Sequence, residues 1–203
     1  MASSRVSLDE RREQLIAATI SVMQEQGVQS ITLRNVAQRA NASLATVHYC
    51  FENKDALIHA AVVRWLENMV SYTTNIPTGA GFRAAVHSFA ELYWADLERT
   101  PNDVLAQIEL VLWAARNEDS GGLRSLVYTG YEDELSEIFA AALENESPGR
   151  DFDSRGFVRR LLTVFDGCSL QFLLQPELPI HRENYFFLIA TLIDSVLGER
   201  AKV

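Results

Sequence analysis

The sequence predicts an all-α fold of about nine helices, with a group of short helices at the N-terminus and a larger helical bundle behind it. Two observations carry this. Apolar residues recur at spacings of three and four through most of the chain, and no segment alternates convincingly as a strand. Glycine, proline, asparagine and capping residues divide the pattern at regular points.

The first helix carries Leu8, Leu15, Ala18 and Val22 on one stripe. Gly27 stands where a left-handed C-terminal cap is wanted. Thr32 then caps a second helix, and Ile31 is placed to pack on Val36 as a hydrophobic staple. Leu33, Val36, Ala37 and Ala40 give that helix a short buried face. Asn41, which tolerates a left-handed backbone, closes it. Ser43 caps a third helix with the apolar pair Val47 and Phe51, and Asn53 caps a fourth that begins at Lys54-Asp55 and runs through Leu57, Ile58, Ala61, Val62 and Trp65.

Farther on, Pro77, Gly79 and Gly81 precede a helix over roughly Phe82 to Glu98. Thr100-Pro101 opens the next, with proline at the first helical position, which ends near Arg116. A helix ending near Asn145 follows the break at Asp119 to Gly122. The last two run from about Ser154 to Leu174 and from about Arg182 to Leu197, joined by Gln175-Pro176-Glu177-Leu178-Pro179.

Bulk composition, 48% hydrophobic and 22% charged, is that of a folded globular protein. The polar start and the lack of an apolar run of ~20 residues imply a cytoplasmic location and no membrane partner. Cys50 and Cys168 have no metal-ligand spacing. The net charge of −9 is uneven: residues 1–60 balance six basic against six acidic side chains, whereas 61–203 hold twelve against twenty-one. A near-neutral head on an acidic body remains compatible with a DNA partner.

The informative stretch is Thr32 to Leu57. Two short helices separated by Asn41-Ala42-Ser43 have the dimensions of a helix-turn-helix, whose second helix enters the major groove. Val36, Ala37, Ala40, Val47 and Phe51 are suited to fixing the interhelix angle. Ser43, Ala45, Thr46 and His48 are small or polar enough to approach base edges, with Leu44 available to a thymine methyl. Thr32, Arg34, Thr46, Tyr49 and Lys54 are suited to phosphates. The run Ile31-Thr32-Leu33-Arg34-Asn35-Val36-Ala37-Gln38-Arg39-Ala40-Asn41-Ala42-Ser43, continued by Thr46-Val47-His48-Tyr49-Cys50-Phe51-Glu52-Asn53-Lys54-Asp55-Ala56-Leu57, resembles the DNA-binding head of TetR-family regulators. The resemblance implies phosphate contacts for Thr32, Thr46, Tyr49 and Lys54, and base-proximal roles for Ser43, Leu44, Ala45 and His48. Three positions depart from it: Asn41 replaces a usual glycine, His48 the first of two tyrosines, and Cys50 a common histidine.

This reading divides the chain into a DNA-binding domain at 1–53 and a ligand-binding and dimerisation domain at 54–203. The last two helices are apolar nearly all round, so they pair either with a second copy or inside the chain. The resemblance implies the homodimer, with Phe157, Leu161, Phe165, Phe172, Phe187, Leu192 and Val196 as interface candidates. Phe89, Tyr93, Trp94, Trp113, Tyr128, Tyr131 and Phe165 are candidates for an effector pocket, and Asp166, set in an apolar helix, is expected to be paired or to line a cavity. No cofactor, metal or enzymatic constellation is expected: His48, His59, His87 and His181 are scattered, and no glycine-rich phosphate loop is present. The expected function is that of a ligand-responsive regulator, a repressor that leaves a palindromic operator when a small molecule binds. Two rival readings stand beside it: an enzyme, for which no catalytic residue can be named, and a helical ligand-binding or scaffold protein without DNA affinity.

Overall fold

The computed structural model describes residues 6–70, 73, 76–116, 122–147 and 149–198, with the side chains of 68–70, 123–127 and 131 outside that description. Among these residues are nine α-helices and no strand. They are α1 (Leu8–Gln26), α2 (Leu33–Arg39), α3 (Leu44–Cys50), α4 (Lys54–Val70), α5 (Phe82–Arg99), α6 (Pro101–Arg116), α7 (Leu123–Glu146), α8 (Ser154–Leu174) and α9 (Ile180–Leu197), with short 3-10 turns at Val28–Ser30 and Thr78–Ala80. The chain falls into two compact units, one drawn from residues 1–68 and 106–127, the other from 69–105 and 128–203.

In the first unit, α1 starts at a reciprocal capping box. The Glu10 amide donates to Ser7 Oγ at 3.1 Å, and the Ser7 amide donates to Glu10 Oε2 at 2.8 Å. Those bonds hold the Glu10 carboxyl below its ordinary range. Leu15, Ile16, Ala18, Val22 and Met23 form the buried face, while Leu8, expected on the same stripe, is exposed about two turns ahead of Leu15. Gly27 ends the helix with φ 82° and ψ 162°, a positive φ but an extended ψ, so it differs from the left-handed cap expected there. The reason is a neighbour. Glu109 on α6 accepts the Val28 amide at 2.9 Å, and a Cβ at Gly27 would lie 2.7 Å from its Oε2.

Thr32 caps α2, its Oγ accepting the Asn35 amide at 3.0 Å, and Ile31 and Val36 are both fully buried as a staple requires. Asn41 is left-handed at φ 48°, the only described non-glycine residue with positive φ.

In the second unit, α9 packs on α8 and α5. Phe82 is fully enclosed at the start of α5, with ring centroids of Phe152 and Phe157 at 5.3 and 5.1 Å. Asp153 caps α8 through the Gly156 amide at 2.9 Å. Helix α9 begins at Ile180, two residues earlier than the sequence indicates, because Pro179 is already αR (φ −60°, ψ −27°) and pre-sets the first turn.

The apolar character of α8 and α9 divides into two faces. Phe157, Leu161 and Phe165, three interface candidates, are only 1%, 0% and 2% exposed. They are enclosed by the chain's own helices and have no surface left to offer a second copy. Phe172, Leu192 and Val196 are half-buried, and Phe187 is 61% exposed. Leu170 and Leu174 add exposed apolar surface on α8. No described helix is long and apolar enough to cross a membrane.

Gly27→Ala is expected to lower stability by roughly 1–3 kcal/mol, through the positive φ and displacement of Glu109 from Val28. Gly79→Ala, which meets nothing within 4 Å, should change it by less than about 0.5 kcal/mol. Thermal unfolding of the two variants checks the contrast.

Candidate nucleic-acid interface and aromatic body

Helix α3 is seven residues long, too short to persist without packing. Its inner face, Val47 and Cys50, is buried against the first unit, and Phe51 beyond it is buried as well. Arg12 of α1 locks its C-terminal end: the guanidinium donates to the Cys50 carbonyl and lies 4.4 Å from the Phe51 ring centroid. At the other end Ser43 Oγ accepts the Thr46 amide at 3.0 Å and lies 2.8 Å from the Thr46 hydroxyl. Asn53 Oδ1 then accepts the Ala56 amide at 2.8 Å, which caps α4 beside Lys54.

What remains outward is the set expected from sequence. Thr32, Arg34, Ser43, Leu44, Ala45, His48 and Tyr49 are exposed, and Thr46 and Lys54 are half-exposed. Tyr49 is 77% exposed, a large ring with almost nothing packed on it. Because the Thr32 oxygen accepts an amide proton, its own O–H keeps a donor, and the Ser43–Thr46 hydroxyl pair keeps one between them. The positive charges differ in availability. Arg39 is held by Glu25 and Ser21, with Nη1 2.7 Å from Glu25 Oε1 and 2.8 Å from Ser21 Oγ. Hydrogen bonds from Arg39 and Ser21 in turn push the Glu25 carboxyl down to about 2. Arg34 and Lys54 form no ion pair with the described residues.

The aromatic candidates in the second unit are partly brought together. Tyr93 stacks on Phe165 with centroids 4.2 Å apart, and Phe89 lies 5.5 Å from the same ring. Tyr185, an apolar-face residue of α9 not among the expected pocket residues, joins this stack to Trp94 at 4.9 Å and donates to the Ala90 carbonyl at 3.0 Å. Tyr93 reaches Ser169 Oγ at 2.8 Å, and burial pushes its phenol well up. Asp166 is paired: the Tyr128 hydroxyl donates to its Oδ2 at 3.0 Å. Desolvation of the carboxylate outweighs that bond and raises Asp166, while loss of solvent and the adjacent negative charge push Tyr128 up to about 12. Trp113, half-buried, belongs to the first unit, and the Tyr131 side chain lies outside the described residues.

Residues 15–61 match the family model for bacterial regulatory proteins of the tetR family, a segment that contains all of α2 and α3. The chain is 38% identical over 193 residues to the HTH-type nicotine-responsive transcriptional repressor HdnoR of Paenarthrobacter nicotinovorans, covering 95% of this chain and 98% of that protein. The protein belongs to the TetR family. Among solved structures, the transcriptional regulator SCO7518 of Streptomyces coelicolor A3(2) superposes with a TM-score of 0.73 at 24% identity, over 91% of this chain and 98% of its own. The multidrug binding protein EbrR, solved in complex with proflavin, gives 0.67 at 25% identity over 90% and 99% of the two chains.

Within this TetR-family head, the residues that hold the motif were harder to foresee than those it displays. Arg12, Arg39 and Asn35 act through partners distant in sequence. Asn35 Nδ2, for instance, donates to Gln26 Oε1 at 2.9 Å and to the Ser30 carbonyl at 3.0 Å. The Ser7–Glu10 box, spelled S-x-x-E, had by contrast a local signature, as had the caps at Thr32, Ser43 and Asn53.

Asp166 supplies a prediction with a defined sign. An acid raised on folding costs stability while ionised, and the cost vanishes once pH falls below the unfolded carboxylate range near ~4. Asp166→Asn, which keeps an acceptor for Tyr128, should therefore raise Tm at pH 7 and give no gain at pH 3. Thermal melts of both proteins at the two pH values check this.

Proposed function

We propose that the protein is a ligand-responsive transcriptional repressor that holds a palindromic operator as a homodimer and leaves it when a small molecule enters the helical body. The observation that carries the DNA reading is α3 itself. Its inner face is locked by Val47, Cys50 and Arg12, while Tyr49 stands 77% exposed beside Leu44, Ala45 and His48. A short helix held so firmly and left so bare on its other side is suited to the major groove. Thr32, Arg34, Thr46, Tyr49 and Lys54 grip phosphates, and Ser43, Leu44, Ala45 and His48 approach base edges.

In this reading residues 1–53 bind DNA and 54–203 dimerise and bind the effector. The dimer forms on the outer face of α8 and α9, through Phe187, Leu170 and Leu174 with Phe172, Leu192 and Val196 beside them. Phe157, Leu161 and Phe165 support that face from beneath. An isologous contact of this kind gives two α3 helices the two-fold relation of a palindrome. The nicotine response in HdnoR's name and the proflavin complex of EbrR support a small-molecule effector. The partly open Phe89–Tyr93–Phe165 stack, with Asp166 and Tyr128 close by in the same unit, supports its location in the body. Release is population shift: the effector binds more tightly to the conformation whose α3 spacing mismatches the operator.

Selection from a random DNA pool, followed by gel shift, tests the reading. The wild type should enrich a palindrome. Tyr49→Ala and Lys54→Ala should each weaken binding, and Lys54→Ala should reduce the slope of log affinity against log salt by about one. If the double variant binds as the wild type does, α3 is not the reading helix. Phe187→Glu should convert the dimer to a monomer in analytical ultracentrifugation and should also abolish binding to the full palindrome at low protein concentration.

A further inference from the structure

We propose that a cavity bounded by α5, the 175–179 loop and the start of α9 binds a small organic cation carrying an aromatic ring. Its volume is about 530 Å³, enough for one ring and an ammonium group. Trp94, Phe172 and Phe186 make its apolar wall. The Trp94 ring lies 5.4 Å from Phe172 and 6.4 Å from Phe186. Three carboxylates line the rest, Glu91, Glu98 and Glu183, against the single fixed positive charge of Arg182.

The structure contains an internal example of the chemistry. The Arg182 guanidinium lies 4.7 Å from the Phe186 ring centroid, and its Nη2 is 3.2 Å from Glu91 Oε2. An aromatic face and a carboxylate thus already hold a cation at this place. Arg182 and Glu91 are both about half exposed, so the pair is weak and screened, and an incoming cation displaces it at little cost. Two carboxylates remain in surplus. Glu98 accepts the Trp94 indole N–H at 2.8 Å through Oε1, which fixes the ring and leaves Oε2 facing no described donor. Glu183 forms no ion pair with the described residues. Clustered aromatic rings with excess negative charge select a cation over an anion, and the ring wall selects an aromatic cation over a metal ion.

This cavity differs from the Phe89–Tyr93–Phe165 stack, and its occupancy is independent of DNA. Isothermal titration of the full chain, without DNA, tests it with benzyltrimethylammonium and with the neutral N-benzylacetamide. The wild type should bind the cation and not the amide, with affinity falling as NaCl rises. The paired variant Glu98→Gln/Glu183→Gln should weaken binding roughly tenfold. Arg182→Gln, which removes the resident competitor, should tighten it roughly threefold to tenfold. Equal binding of the amide, absence of cation binding, or unchanged affinity in Arg182→Gln overturns the proposal. Circular dichroism and Tm of these surface variants confirm that each is folded. Because no step depends on operator binding, failure of the repressor reading leaves the result interpretable.

Discussion

The anchorage of α3 on α1 is the constraint on which the head depends. A seven-residue helix cannot offset its own nucleation cost, so its existence and its direction come from tertiary contacts. Val47 and Cys50 provide the buried face, and Arg12 adds a donor to the Cys50 carbonyl and a charged plane over Phe51. The carbonyl is a group that a helix end leaves unsatisfied, so one side chain both completes the hydrogen bonding and sets the angle. Tyr49 is exposed as a consequence: with positions 47 and 50 turned inward, position 49 has to face out.

Charge in the head follows the same logic of prior commitments. Arg39 looks, in sequence, like part of a positive patch, yet Glu25 and Ser21 hold it to α1. Glu109 acts in the opposite direction, an acid of α6 that completes the turn after α1 by accepting the Val28 amide. These contacts favour rigidity of the three-helix head over density of positive charge. Arg34 and Lys54, which form no ion pair with the described residues, are therefore the donors on which the proposed DNA contacts rest.

The second unit is organised by rings. Phe165, Tyr93, Tyr185 and Trp94 form one series of contacts, Phe82 with Phe139, Phe152 and Phe157 a second, and Phe89 joins the two by contacting both Phe139 and Phe165. Buried aromatics contribute large apolar area and hold preferred edge or offset geometries, which gives the helices fixed relative positions. The outer edge of this system, at Trp94 and Phe186, meets carboxylates and solvent. That boundary between ring surface and acidic surface is where a charged aromatic molecule gains from both.

The sequence by itself determined the order of the helices, the caps of the head's short helices and the family. Thr32, Ser43 and Asn53 cap α2, α3 and α4 through bonds spanning three residues, and Asn41 takes its left-handed turn alone, so each was legible locally. The exposed set on α3 was legible too, since helical period assigns a face once the buried positions are known. Tertiary structure decided what period leaves open. It enclosed Phe157, Leu161 and Phe165 while leaving Phe187 bare, although Phe187 sits on the more apolar of the two helices. It gave Gly27 an extended ψ, with the Val28 amide that follows it bonded to Glu109, eighty-one residues away from Val28. The physical reason is common to these cases. Caps and turns are satisfied by neighbours within four residues, whereas burial, ion pairing and ring stacking depend on partners that only folding brings into contact.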